Sequence, residues 1–159
     1  MITESELFEY VSKPYPYEQK DISVIDTLGR QIILDDFFQM MKIREFPYTL
    51  KIESMEKYSS KIFKACIDFA NKYDHIGPVT CHVFWARAGD CSFPEHTDLD
   101  DVIIYCADGI KHMTIEGRDV YINTGEHIYI PHGTKHQALN TSDSIMLSFG
   151  LERFSIEKA

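Results

Sequence analysis

Gly125-Glu126-His127-Ile128-Tyr129-Ile130-Pro131-His132-Gly133-Thr134-Lys135-His136-Gln137-Ala138-Leu139-Asn140 decides how the C-terminal half of this 159-residue chain must fold. Two short apolar runs, 127–130 and 135–139, flank the turn Pro131-His132-Gly133. Proline removes a backbone donor and clashes inside a helix, so the stretch reads strand, turn, strand. The same texture runs upstream to Gly77-Pro78 and downstream to the end of the apolar pattern. Apolar runs at 79–86, 102–106, 110–115, 119–122 and 144–149 alternate with Ala88-Gly89-Asp90, Ala107-Asp108-Gly109, Glu116-Gly117-Arg118 and Asn123-Thr124-Gly125. Many short strands at this spacing predict an all-β sandwich or barrel.

Upstream of Gly77 the periodicity is mixed. Thr3-Glu4-Ser5-Glu6 has the form of a capping box and predicts a short helix from Glu4 to Val11. Pro14 and Pro16 predict an extended connection. Ile22 to Thr27 and Gln31 to Leu34 read as strands, and Asp35 as the cap of a helix that carries Phe37, Phe38, Met40 and Met41 and ends before Pro47. Met55, Tyr58, Ile62, Cys66, Phe69 and Tyr73 recur at three- and four-residue steps, which predicts an amphipathic helix over 53–73. That stripe is core and carries no chemistry. The whole is expected to be one domain over 1–159, with a mostly helical portion at 1–76 packed on a β core at 77–151.

The formal net charge of −9 argues against a nucleic-acid backbone as partner, because such proteins need basic patches. Glu4, Glu6 and Glu9 sit where a secretory leader would be basic, and no apolar run reaches membrane-spanning length. Cys66, Cys81, Cys91 and Cys106 form no C-x-x-C pair, which predicts reduced thiols and a cytoplasmic protein.

The chemistry is carried by Phe93-Pro94-Glu95-His96-Thr97-Asp98. In an extended segment His96 and Asp98 point the same way. An imidazole and a carboxylate on one face are two thirds of a 2-His-1-carboxylate metal triad. His136 is the best candidate for the third ligand, since barrel closure brings distant strands opposite one another. Such a triad leaves positions open on a metal, and a closed barrel excludes water from them.

Gly125, Pro131, Gly133, His136 and Asn140 have the spacing of the second cupin motif, and the likeness extends upstream. Residues 79–151 resemble a cupin-fold, JmjC-like iron oxygenase dependent on 2-oxoglutarate, of the ribosomal-oxygenase and asparaginyl-hydroxylase branch. The resemblance rests on Phe93 to Asp98, on Asp101 to Lys111, and on Tyr129 to Ala138. It implies a double-stranded β-helix (cupin or jelly-roll barrel), mainly β, with N-terminal α-helices. It implies that His96, Asp98 and His136 bind Fe(II), and that Lys111 holds the 5-carboxylate of 2-oxoglutarate. The expected activity is hydroxylation of a protein side chain or a small metabolite. A metal-dependent cupin isomerase or lyase, a 2-oxoglutarate-independent dioxygenase and a non-catalytic small-molecule-binding cupin are the alternatives. Homodimerisation through a barrel edge or the N-terminal helices is common for this architecture.

Two features depart from that family. Only a short hairpin separates Lys111 from His136, and residues 7–74 match no familiar pattern. Lys111 has a second reading as a solvent-exposed gatekeeper on an edge strand, but Met113 and Ile115 share its face and place it inward. His132 is expected at the surface, and His82, His112 and His127 as barrel or surface histidines. Asn140 reads as a turn-closing residue, Ser148 as a packed strand residue and Trp85 as core.

Overall fold

The computed structural model describes residues 1–157. Helix α1 (Glu4–Val11) starts at the expected capping box: Thr3 accepts from the Glu6 amide, and Glu6 reaches back to the Thr3 amide. One turn of helix, α2 (Tyr15–Glu18), replaces the expected extended connection. Pro14 and Pro16 fit there because the first turn of a helix has no use for those amides. Strands β1 (Ile22–Ile25) and β2 (Gln31–Ile33) form an antiparallel pair. Helix α3 (Phe37–Ile43) is capped by Asp36, not Asp35, through the Gln39 amide at 2.8 Å.

Strand β3 (Thr49–Ile52) follows, where the sequence pattern gave no strand. The long amphipathic segment then splits. Ser54 adopts left-handed backbone, residues 55–57 form a 3-10 turn, and α4 (Ser60–Lys72) begins only where Ser59 caps the Ile62 amide. The remaining strands are β4 (Val79–Ala86), β5 (Asp101–Ile115), β6 (Arg118–Asn123), β7 (His127–Ile130), β8 (His136–Leu139) and β9 (Ser144–Leu151).

The strands run in the order β2-β1-β3-β4-β9-β5-β6, with β7 and β8 also on β5. The N-terminal portion is therefore not only helical packing on a barrel. It adds β3, β1 and β2 to the sheet edge, through Leu50↔Trp85 and its neighbours. This is the expected double-stranded β-helix with helices at its N-terminal side. Alternation sends Leu50, Ile52, Cys81, Val83, Leu147 and Phe149 outward, into one apolar core with Leu7, Ile62 and Phe69 of the helices. The same strands send Lys51, Thr80, His82, Phe84, Met146 and Ser148 into the barrel interior.

Residues 102–106 and 110–115 were expected as two strands joined by a turn. They are one fifteen-residue strand with a bulge at Cys106/Asp108. Residues 101–106 of β5 pair with β7 and β9, the β9 pairing continues through the bulge to Gly109, and residues 110–115 pair with β6 and β8. The corner works because Gly109 has φ +76° and lies against β9, where a Cβ would meet the Asp143 carbonyl oxygen at 2.1 Å. Gly109→Ala is expected to cost more than the ~1–2 kcal/mol of left-handed strain alone, because backbone must move. Gly117→Ala, at the same φ of +76° with open space around it, is expected to cost only that strain. Urea denaturation of the two variants checks the difference, and equal losses would remove the packing argument.

Candidate metal centre

The three expected ligands converge. One donor atom from each of His96, Asp98 and His136 lies within 4.8 Å of the others. His96 and His136 face each other as an antiparallel bridge, exchanging both backbone hydrogen bonds at 3.0 Å. Asp98 is tied to the neighbouring turn, since its carbonyl accepts from the Gly133 amide at 3.0 Å. The Pro131-His132-Gly133 turn thus fixes two of the candidate ligands: it starts β8 with His136 and holds the segment that carries Asp98.

Ring orientation is fixed by the backbone as well. Nδ1 of His96 faces the Pro94 carbonyl at 2.8 Å, and Nδ1 of His136 faces the Thr134 carbonyl at 2.8 Å. A carbonyl only accepts, so each Nδ1 carries hydrogen and each Nε2 turns toward Asp98. Asp98 lies 3.0 Å from Nε2 of His136 and 3.7 Å from Nε2 of His96. The hydrogen bond to Asp98 raises the His136 pKa, and the reciprocal bond lowers that of Asp98. Without a metal these atoms share a proton; deprotonated, they offer two imidazole nitrogens and a carboxylate oxygen to a divalent cation. His136 is buried, whereas the side chains of His96 and Asp98 remain 40% and 37% exposed. The cluster therefore opens toward solvent on one side.

Behind the cluster lies a cavity of about 480 Å³ lined by residues of both sheets. Lys111 lines it and is only 2% exposed, which removes the gatekeeper reading. Its Nζ donates to Oδ1 of Asn140 at 2.6 Å and lies 3.4 Å from Oγ of Ser144. No carboxylate lies within ion-pair distance of it among the described residues. Burial lowers its pKa to about 8. A buried ammonium with only neutral contacts is costly and invites an anion.

Other expectations resolve individually. His132 is exposed and hydrogen-bonded to Asp101. His112 is buried, at 2.8 Å from Asp119 and stacked on Tyr121; His127 meets the Tyr73 hydroxyl at 3.0 Å. Trp85 packs against the core beneath Arg44. Cys66, Cys81, Cys91 and Cys106 are free thiols. His82 was missed as a cavity residue: its Nδ1 accepts from the Ser54 amide at 3.2 Å, and burial keeps the ring neutral by lowering its pKa. Asn140 was missed as a contact of Lys111, because the two residues lie 29 positions apart, one on β5 and the other just after β8.

Residues 84–150 match the family model for the Cupin domain. The barrel has the cupin fold. The cupin barrel and its N-terminal elements together superpose on the Escherichia coli ribosomal oxygenase YcfD over 98% of this chain, with a TM-score of 0.69 and 15% identity. The same protein in complex with cobalt and 2-oxoglutarate gives a TM-score of 0.69 at 14% identity, again over 98% of this chain. This chain covers 45% of that oxygenase, a little under half its length. KdgF from Halomonas sp. is 22% identical over 52% of this chain and 76% of its own, with a TM-score of 0.44. No curated protein matches the sequence. At these identities the likeness bears on the fold. No helix among the described residues is long and apolar enough to cross a membrane.

Proposed function

We propose that this chain is a non-haem Fe(II) and 2-oxoglutarate-dependent oxygenase, a hydroxylase acting on a protein side chain or a small metabolite. The observation that carries this reading is Lys111: a buried cation without a carboxylate partner, in the same cavity as the His96, Asp98 and His136 donors. A cupin that needed only a metal would have no reason to bury that charge. His96 and His136 would hold iron through Nε2, and Asp98 through its carboxylate. When bound, the metal and 2-oxoglutarate would supply the oxidising chemistry, in which one atom of O2 goes to succinate as 2-oxoglutarate loses CO2 and the other goes into a substrate C–H bond.

The residues of the chain then have separable tasks. Lys111 receives the distal carboxylate. Val102, Ile104, Met113 and Met146 wall the cavity and keep water from it. The exposed side of the cluster, beside His96 and Asp98, is where a second substrate approaches. The setting we infer is the cytoplasm, where the four free thiols stay reduced. Homodimer formation belongs to the same reading and is checked by solution mass.

Protein loaded with Fe(II) under air should convert 2-oxoglutarate slowly to succinate without a second substrate, followed by NMR. If fully loaded protein neither binds 2-oxoglutarate nor forms succinate, the oxygenase reading fails, and a cupin isomerase or binding cupin takes its place.

A further inference from the structure

Lys111 is not the only specialised group in its corner of the cavity. Asn140 sits at the end of β8 with all of its amide in use. Its Nδ2 donates to Oγ1 of Thr49 at 2.9 Å and to the Asp90 carbonyl at 2.8 Å, and its Oδ1 accepts from Lys111 at 2.6 Å. Only one orientation of the amide meets these partners. The flipped amide would set NH2 against an ammonium and oxygen against a carbonyl.

We propose that Asn140 is the positioning residue of the anion site: its clamped amide presents a fixed, neutral oxygen that holds Lys111 in its cationic form and aims its remaining protons at an incoming carboxylate. A carboxylate as the ligand rests on the oxygenase reading; the hold on Lys111 does not. Neutrality is the point. An aspartate or glutamate here would stabilise the ammonium more strongly but would also cancel its charge, leaving nothing for a ligand. An amide oxygen solvates the cation and leaves the charge intact. A lysine has three donors; Asn140 takes one, and Ser144 lies at the long distance of 3.4 Å, so at least one proton is free.

The other groups that act on Lys111 are few. The Cys106 thiol precedes it on β5, and the Asp90 carboxylate acts from the loop after β4. Asp90 is already engaged with Arg87 at 3.3 Å and Arg44 at 3.9 Å, so it biases Lys111 through its field and not by contact. Asn140 alone makes a short contact. The clamp also explains what β3 contributes. Thr49 belongs to the N-terminal portion, outside the stretch that matches the Cupin domain, yet it completes the support of the site.

The test uses two readouts. The first is the titration of Lys111 in metal-free protein, followed by the NMR resonance of its ε-carbon. The second is 2-oxoglutarate affinity of Mn(II)-loaded protein across pH, by calorimetry. In the wild type, affinity should fall as pH rises through about 8, because the ligand needs the ammonium that is being lost. Asn140→Leu removes the oxygen, so Lys111 should titrate at lower pH. Affinity at neutral pH should drop roughly ten- to a hundredfold and recover on acidification. Asn140→Asp should shift the titration upward and weaken binding without recovery across the neutral range. Thr49→Val, which loosens the clamp and keeps Asn140, should shift the titration downward by less than Asn140→Leu.

An Asn140→Leu protein with unchanged Lys111 titration and pH profile overturns the proposal. If that variant does not fold, an unchanged titration in both Asn140→Asp and Thr49→Val overturns it equally. If the Lys111 shifts appear in a protein that never binds 2-oxoglutarate, the oxygenase reading fails while the role of Asn140 stands.

Discussion

Lys111→Met should weaken 2-oxoglutarate binding by roughly a hundred- to a few thousand-fold. A carboxylate that enters a cavity walled by Val102, Ile104 and Met113 leaves most of its water behind. Removing the cationic partner of such a buried group costs about 3–5 kcal/mol, and each ~1.4 kcal/mol is tenfold in affinity. Methionine matches the length of lysine without its charge, so the barrel should close around it. Two effects on stability then oppose each other: a buried charge is removed, while Asn140 Oδ1 loses its donor. Lys111→Arg should lose much less affinity, since a guanidinium still reaches a carboxylate, although its fork cannot reproduce the Asn140 contact unchanged. Metal binding should survive both changes. Calorimetry on Mn(II)-loaded protein separates the cases, and wild-type affinity in Lys111→Met would remove Lys111 from the site.

The second large effect belongs to the metal. Asp98→Ala and His136→Ala should each lose divalent-metal affinity by more than about a hundredfold, because even residues that merely orient a ligand are worth about 10–100-fold. Asp98 is the more informative of the two. It stands between both imidazoles, at 3.0 and 3.7 Å, and its loss leaves two cationic-prone rings with ring centroids 4.5 Å apart. The sign of the pH dependence follows from His136. Its hydrogen bond to Asp98 raises its pKa, so a metal competes there with a proton held more tightly than usual. Wild-type metal affinity should therefore decline as pH falls through that raised value and recover above it. Asp98→Ala, having lost that hydrogen bond, should show the decline displaced to lower pH. Full metal retention by both variants would sink the triad.

The strands of the barrel were legible because Gly and Pro punctuate them and because apolar runs are short. The convergence of the three candidate ligands was legible for a related reason: His96 and Asp98 are two apart on extended chain, and His136 lies just after a Pro/Gly turn. Strand β3 was not legible. Its outward residues Leu50 and Ile52 go to the helix-covered core, but its inward residues are Thr49 and Lys51, which in isolation look like a surface loop. Polar residues facing a cavity imitate polar residues facing water. The corner in β5 was misread for the opposite reason. Asp108-Gly109 is a sound local turn signal, and only the partner strand β9, pressed against Gly109, converts the turn into a bulge within one continuous strand. Asn140 was read as a turn former because its partners Lys111, Thr49 and Asp90 come from three separate parts of the chain, a convergence that no local pattern encodes.

The bulged strand also governs how the molecule comes apart. Residues 101–106 of β5 are bonded to β7 and β9, and residues 110–115 to β6 and β8, so four strands depend on one. Neither sheet can open by a local fluctuation that frees its share of β5 without stripping the other half of its template. Ladder-bonded amides on either side of the bulge in β5 should then exchange with solvent only when the whole barrel unfolds, whereas those of β2, which has a neighbour on one side alone, should exchange by fraying. The lysine that faces the cavity stands two residues past that corner, in the last part of the protein to yield.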